Sequence, residues 1–199
     1  MGEMAETPDD WAVFVHRAIA GDEVAFAAIY ERTRENVYRT VALLVNRQTD
    51  AKEITQDVYE ELWRTLRRYD DDRPFLPWLH GIVIRQVRNY RRTQWRHWRK
   101  LKMVRENQRI DLHGMALDEV IVISQQGGQL MSMVDALPLK LREVILLRYF
   151  HGYTLAEAAK ILHIPAGTAR SRHHQAMLCL RASFDEAKEG DKACLLNEN

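Results

Sequence analysis

Apolar side chains return every three or four residues through most of this chain: Phe26, Ile29, Tyr30, Val37, Val41 and Leu44, then Ile54, Val58, Leu62 and Leu66, then Leu79, Ile82, Val83, Val87 and Tyr90. That spacing lines one face of an α-helix, whereas a half-buried strand needs strict alternation. Alternating runs bounded by Gly or Pro are nearly absent, so the sequence predicts an all-α protein.

Local signals punctuate the helices. Asp22 is a cap for the first, and Asp50 with Glu53 fits a capping box for the second, which Asp70-Asp71-Asp72-Arg73-Pro74 breaks. A third starts near Phe75 to Trp78 and continues toward a basic stretch. From about Glu106 to Gly128 the periodicity weakens, and His113-Gly114 and Gly127-Gly128 mark a connector, with Leu117 to Ile123 able to form a short helix. A second lobe opens at Leu137-Pro138, runs through Leu141, Val144, Ile145 and Leu147, and stops at Gly152. Thr154 and Glu157 form a capping box for a helix that buries Leu155, Ala158, Ala159 and Leu162. His163-Ile164 is then a short turn, and Pro165 starts a last helix through Ala169, Ala176 and Leu180. Two short helices about a tight turn predict a helix-turn-helix. The expected layout is an N-terminal extension 1–21, a helical domain 22–98, a flexible linker 99–130, a helix-turn-helix domain 131–184 and a loose tail 185–199. Met131 and Met133 are expected to serve packing.

The 29 basic and 28 acidic residues nearly cancel, so any nucleic-acid signal must lie in their distribution. Residues 85–105 hold nine cations, Arg85, Arg88, Arg91, Arg92, Arg96, Arg99, Lys100, Lys102 and Arg105, with no acid among them. Tyr90, Trp95 and Trp98 are interleaved. Cations that meet phosphates release counterions, and aromatic faces stack on unpaired bases, so this stretch suits partly single-stranded DNA. The plainer alternative is a solvated helix face with both indoles buried. In the last helix Arg170, Ser171, Arg172, His174 and Gln175 occupy the early turns, where a recognition helix meets base edges; an ordinary helical hairpin is the alternative. Acids gather in Asp50, Glu53, Asp57, Glu60 and Glu61, against Lys52 alone, a face for either solvent or a protein partner.

Other classes fit less well. Apolar runs fall short of the roughly 18 residues of a membrane span, and Met1 to Asp22 lacks the pattern of a signal peptide, so a cytoplasmic protein is expected. Cys179 and Cys194 form no CxxC, and HExxH is absent, so neither metal nor other cofactor is expected. Glu60-Glu61 and scattered histidines supply no nucleophile, base and metal constellation, so no enzyme is expected.

Three segments together resemble the sigma-70 family of bacterial RNA polymerase sigma factors, in the extracytoplasmic-function group that keeps only domains 2 and 4. They are Ala51 to Trp63 (AKEITQDVYEELW), Phe75 to Ile82 (FLPWLHGI) continuing to Asn89-Tyr90-Arg91-Arg92, and Leu137 to Phe150 (LPLKLREVILLRYF) with Ile164 to Arg172 (IPAGTARSR). The resemblance implies a promoter-specificity subunit that directs core RNA polymerase to promoters and assists melting, with residues 22–98 as domain 2 and 131–184 as domain 4. It implies that Glu53, Gln56, Asp57 and Trp63 dock on the clamp helices of the polymerase. The loop Tyr69 to Phe75 then captures a flipped base of the minus-ten element, while Trp78, Arg85, Gln86, Arg88, Asn89 and Arg92 lie along the melting helix. Arg148, Thr168, Arg170, Ser171, Arg172, His174 and Gln175 fall at minus-thirty-five contacts, and the connector at the segment that threads past the polymerase active site. An anti-sigma factor is a further implied partner.

Some positions depart from the family pattern. His173 stands where an apolar residue is usual, Ala169 where valine is common, Gln175 and Met177 where arginines are frequent, and Arg85 where asparagine is usual. These leave the promoter sequence open, because base preference rests on few side chains. Adjacent helical positions point apart, so one of His173 and His174 is expected to pack and the other to face DNA. The competing reading is a helix-turn-helix regulator that binds duplex operator DNA without polymerase.

Overall fold

The computed structural model describes residues 9–45, 48–70, 72–106 and 125–196. These form α1 (Asp9–Ile19), α2 (Glu23–Ala42), α3 (Gln48–Thr65), α4 (Phe75–Glu106), α5 (Gln125–Ala136), α6 (Leu139–Ile145), α7 (Leu155–Leu162) and α8 (Ala166–Leu196). A 3-10 turn, Leu66–Arg68, follows α3, and a π-helical turn, Leu146–Phe150, follows α6. No strand occurs among the described residues. The chain divides into two compact units, α1 to α4 and α5 to α8, with the division between Glu119 and Val120.

In unit 1, Gly21 reverses the chain between α1 and α2 at φ +94°, a left-handed conformation that costs a side chain with a Cβ. Asp22 then caps α2, accepting from the backbone N–H groups of Val24 (3.0 Å) and Ala25 (3.2 Å). The Arg17 guanidinium, 2.6 Å away, and those N–H groups hold its carboxyl below the ordinary carboxylate range. The helices bury Val15, Ile29, Val37, Ile54, Val58, Leu62, Leu79 and Val87 against one another. Each large aliphatic side chain so buried contributes about 1.5–3 kcal/mol. Polar links also cross this core: His80 Nε2 of α4 lies 3.1 Å from Asn36 Oδ1 of α2, and Thr33 of α2, whose Oγ1 donates to the Ile29 carbonyl at 2.7 Å, meets Tyr59 of α3. That hydroxyl proton being used, Tyr59 must donate to Thr33 across 2.8 Å, and burial pushes the phenol pKa far up.

Unit 2 has a smaller core. Leu137, Leu141, Ile145 and Ala176 form one cluster with Leu180 packed on it, and Leu147, Ala158, Leu162 and Ala169 are buried nearby. Arg142, 3% exposed, reaches back to the end of α5 and donates to the carbonyls of Asp135 and Leu137, with Asp135 Oδ1 3.3 Å from Nη1. A buried cation is thereby spent on helix-end carbonyls that have no intrahelical partner. The capping box at α7 is complete: Glu157 N–H donates to Thr154 Oγ1 at 3.2 Å, and Thr154 N–H donates to Glu157 at 2.8 Å. The turn after α7 is made by His163, left-handed at φ 53°, with Ile164 N–H bonded to the Ala159 carbonyl.

Several boundaries differ from the sequence expectations. The stretch read as an N-terminal extension contains α1, whose Trp11, Val15 and Ala18 are buried at helical spacing. Asp50 does not cap α3, which starts at Gln48; it lies in the first turn, where its charge still favours the helix dipole. Gly127-Gly128 lies inside α5, and α4 runs on to Glu106, so the segment read as linker is helical at both ends. The tail read as loose is helical to Leu196. The possible helix at Leu117 to Ile123 lies outside the described residues.

Candidate nucleic-acid and polymerase interface

Burial of Ala51, Ile54, Val58 and Leu62 fixes the rotation of α3 and turns Glu53, Gln56, Asp57, Glu60 and Trp63 outward. Gln56 donates to Glu60 at 2.9 Å. Partial burial and the neighbouring Glu60 raise the Asp57 carboxyl pKa. Trp63 is 48% exposed and meets the Phe26 ring edge-on at 4.7 Å, so a shallow groove between α2 and α3 carries aromatic walls beneath a rim of mixed charge, Glu31, Glu35 and Glu60 with Arg34 and Lys52. The four residues expected to dock on polymerase therefore share one exposed face.

The loop after α3 is tied by rings. Tyr69 and Trp78 lie 5.0 Å apart and are half-buried, and the Tyr69 hydroxyl donates to the Arg73 carbonyl. Phe75, expected to touch DNA, is instead 3% exposed. It opens α4 from the core side, stacked on Trp11 at 5.1 Å, and so backs the site without facing it.

Along α4, Asn89 and Arg92 are exposed, with Arg92 donating to Asn89 at 3.5 Å, while Gln86 and Arg88 are half-buried. Arg91, Trp95 and Arg96 continue the exposed surface. Trp95 is 54% exposed, against the alternative of buried indoles, and the side chain of Trp98 lies outside the described residues. Arg85 is committed elsewhere, its Nη2 2.8 Å from Glu61 Oε1, and Glu61 also binds Arg64. This tie between α3 and α4 pairs residues 24 apart, which no local pattern discloses.

In unit 2, Ala169, Ala176 and Leu180 face the core, leaving Arg170, Ser171, His174 and Gln175 on the opposite, exposed face of α8. Thr168 and Arg172 flank it, half-buried, and Arg172 Nη1 is buried without a hydrogen-bond partner. Arg148 is exposed on the π turn, donating to the Tyr153 carbonyl at 3.3 Å. His173 stacks on Tyr149 at 5.8 Å, with its Nε2 3.0 Å from the phenol oxygen. His174, one position on, is exposed. The departure from an apolar residue at His173 is thus accommodated by a ring partner, which sequence reasoning did not identify.

Two helical units, each presenting a helix with cations and amides on its outer face, define a protein built to meet nucleic acid. Comparison with known proteins specifies which. The family pattern described as Sigma-70 region 2 matches residues 29–97, and Sigma-70, region 4 matches 127–180. The extracytoplasmic-function (ECF) RNA polymerase sigma factor SigK of Mycobacterium ulcerans is 28% identical over 89% of this chain and 95% of its own. SigW of Bacillus subtilis, also an ECF RNA polymerase sigma factor, is 26% identical over 81% and 89% respectively. In fold, the chain is similar to CnrH, solved with the cytosolic domain of CnrY (TM-score 0.62, 24% identity, 87% of this chain and 96% of that one). It is also similar in fold to RpoE of Bartonella quintana, solved with the anti-sigma factor NepR (TM-score 0.61, 19% identity, 80% and 96%). The chain belongs to the sigma-70 family of RNA polymerase sigma factors, in its extracytoplasmic-function group. Its function is that of a sigma factor: a DNA-binding subunit of RNA polymerase at transcription initiation. Among the described residues no helix is long and apolar enough to cross a membrane.

Proposed function

We propose a division of labour within this sigma factor in which the α3 face docks on core polymerase and two cationic helices, α4 and α8, engage the promoter. Unit 1 serves as domain 2 and unit 2 as domain 4. The observation that carries this is segregation: Glu53, Gln56, Asp57 and Trp63 share an exposed acidic-aromatic face on α3, whose exposed Arg64 is paired with Glu61, while Asn89, Arg91, Arg92, Arg96 and Arg170 are exposed on α4 and α8. An acidic face repels DNA and suits a basic protein surface. Tyr69 and Trp78 bound the site for an unstacked minus-ten base, with Gln86, Arg88, Asn89 and Arg92 tracking the strand. Phe75 supports that site from within, and Arg85 ties α4 to α3. Arg170, Ser171, His174 and Gln175 face major-groove edges at minus-thirty-five, while Arg148, Thr168 and Arg172 meet the backbone at the flanks.

The chain supplies no catalysis of its own and works in the cytoplasm, where the polymerase is. An anti-sigma factor covering its exposed faces is a further partner, in keeping with the partners named for the structurally similar CnrH and RpoE. The test is a double dissociation with purified core polymerase. Asp57→Arg should lower core association tenfold or more with duplex promoter contacts intact. Arg170→Ala should weaken minus-thirty-five binding by about 1–3 kcal/mol with core association unchanged. Loss of both activities in each variant, with folding intact, defeats the proposal.

A further inference from the structure

The rings at the base site form a chain that starts far inside unit 1. Trp11 of α1 is 7% exposed and stacks on Phe75 with centroids 5.1 Å apart and planes at 23°. Phe75 in turn meets Tyr69 edge-on at 5.9 Å and Trp78 at 6.0 Å, and those two rings meet at 5.0 Å. Three separate elements thus contribute to one aromatic cluster: α1, the loop after the 3-10 turn, and the first turn of α4. Stacked and edge-on pairs have preferred offsets, so each ring limits where the next can lie.

The position of Trp11 is itself fixed. Arg32 of α2 lies over the Phe14 ring at 4.4 Å, Val15 and Ala18 are buried, and Arg17 pairs with Asp22 at the head of α2. α1 is therefore fastened to the body of unit 1 along its length. Phe75 has no polar group to orient it, so packing sets its tilt, with the Trp11 indole stacked on it at 23°. Removing the indole opens a space of aromatic size behind Phe75, into which that ring can turn, and Tyr69 and Trp78 lose the surface that spaces them.

We infer that Trp11 is a positioning residue for base capture: α1, through Phe75, sets the separation of Tyr69 and Trp78 and hence the fit of an unstacked nucleobase. This rests on the reading that the Tyr69–Trp78 site takes a base. A purely structural indole would affect all activities of unit 1 alike; a positioning indole acts on one nucleotide of the strand.

The experiment uses full-length protein in holoenzyme and single-stranded oligonucleotides from a promoter it serves, each position in turn replaced by the other bases or an abasic site. Trp78→Ala tests the underlying reading: if it leaves discrimination unchanged at every position, base capture by this site fails. Given that discrimination collapses at one position in Trp78→Ala, Trp11→Leu should reduce it at the same position by tenfold or more. Trp11→Leu keeps an apolar side chain but gives up the stacking face and part of the volume, and Trp11→Phe should restore most of the discrimination. Core association and duplex minus-thirty-five binding should stay within twofold. Unchanged discrimination in Trp11→Leu, or an equal loss at all positions together with core association, overturns the inference.

Discussion

In unit 1 the residues nearest the proposed base site touch one another: Trp11, Phe75, Tyr69 and Trp78 form a continuous set of rings drawn from three elements. In unit 2 the residues proposed to read bases, Arg170, Ser171, His174 and Gln175, stand on the exposed face of a single helix. The first arrangement transmits a change at one ring to the others. The second has no interlocked rings among its members, so a change at one side chain is felt at most by its neighbour one turn away. Opening a strand requires a pocket of defined shape, whereas reading an intact duplex requires donors and acceptors at the right spacing on a firm rod. The proposed roles of the two units match this difference in build.

The sharpest way to break this contrast is to remove one ring from each unit. Phe75→Ala should cost unit 1 about 3–5 kcal/mol in urea unfolding followed by tryptophan fluorescence, the usual range for a buried phenylalanine. Tyr149→Ala, at a ring 59% exposed, should change unit 2 by less than about 1 kcal/mol. Similar losses from the two would show that unit 2 also depends on interlocked rings.

A smaller effect separates the units by pH. His151 lies in unit 2 between Phe150 (5.0 Å) and Tyr153 (6.1 Å), and burial pulls its pKa from 6.5 down to about 4. The unfolded chain therefore binds the proton more readily, so the stabilisation is full above pH 6.5 and is lost as pH falls toward 4. Between pH 6.5 and 5 unit 2 should weaken by on the order of 1–2 kcal/mol, at about 1.4 kcal/mol per pH unit. His151→Phe should flatten that dependence. A wild-type unfolding midpoint constant across this window would contradict the assignment.

Smallest is the cap. Thr154→Ala removes half of the capping box and should cost about 1 kcal/mol, read from thermal melting of unit 2 with unit 1 unaffected. A change below about 0.3 kcal/mol would mean that α7 is held by its buried alanines rather than by its end.

Sequence legibility divides along similar lines. The Thr154 and Glu157 box, the turn at His163-Ile164 and the buried Ala169 and Ala176 depend on residues close in sequence, and each stood as the pattern predicted. So did the Asp22 cap. What escaped depends on partners far along the chain. Phe75 is a core residue because Trp11 lies behind it, and Arg85 pairs with Glu61 because α3 and α4 pack together. α1 was concealed by the acidic and proline-containing residues ahead of it, although Trp11, Val15 and Ala18 carried the right spacing. Gly127-Gly128 looked like a break because glycine disfavours helices, by about 1 kcal/mol relative to alanine, yet surrounding structure can override so weak a preference.

The wide turn at Leu146–Phe150 closes the α6 rod with a ring one residue larger than an α-turn, the His151 N–H reaching the Leu146 carbonyl five positions back. Leu146 and Leu147 stay buried inside it while Arg148, Tyr149 and Phe150 are exposed, so the rod ends by handing three neighbouring side chains to the outside just before the chain turns at Gly152.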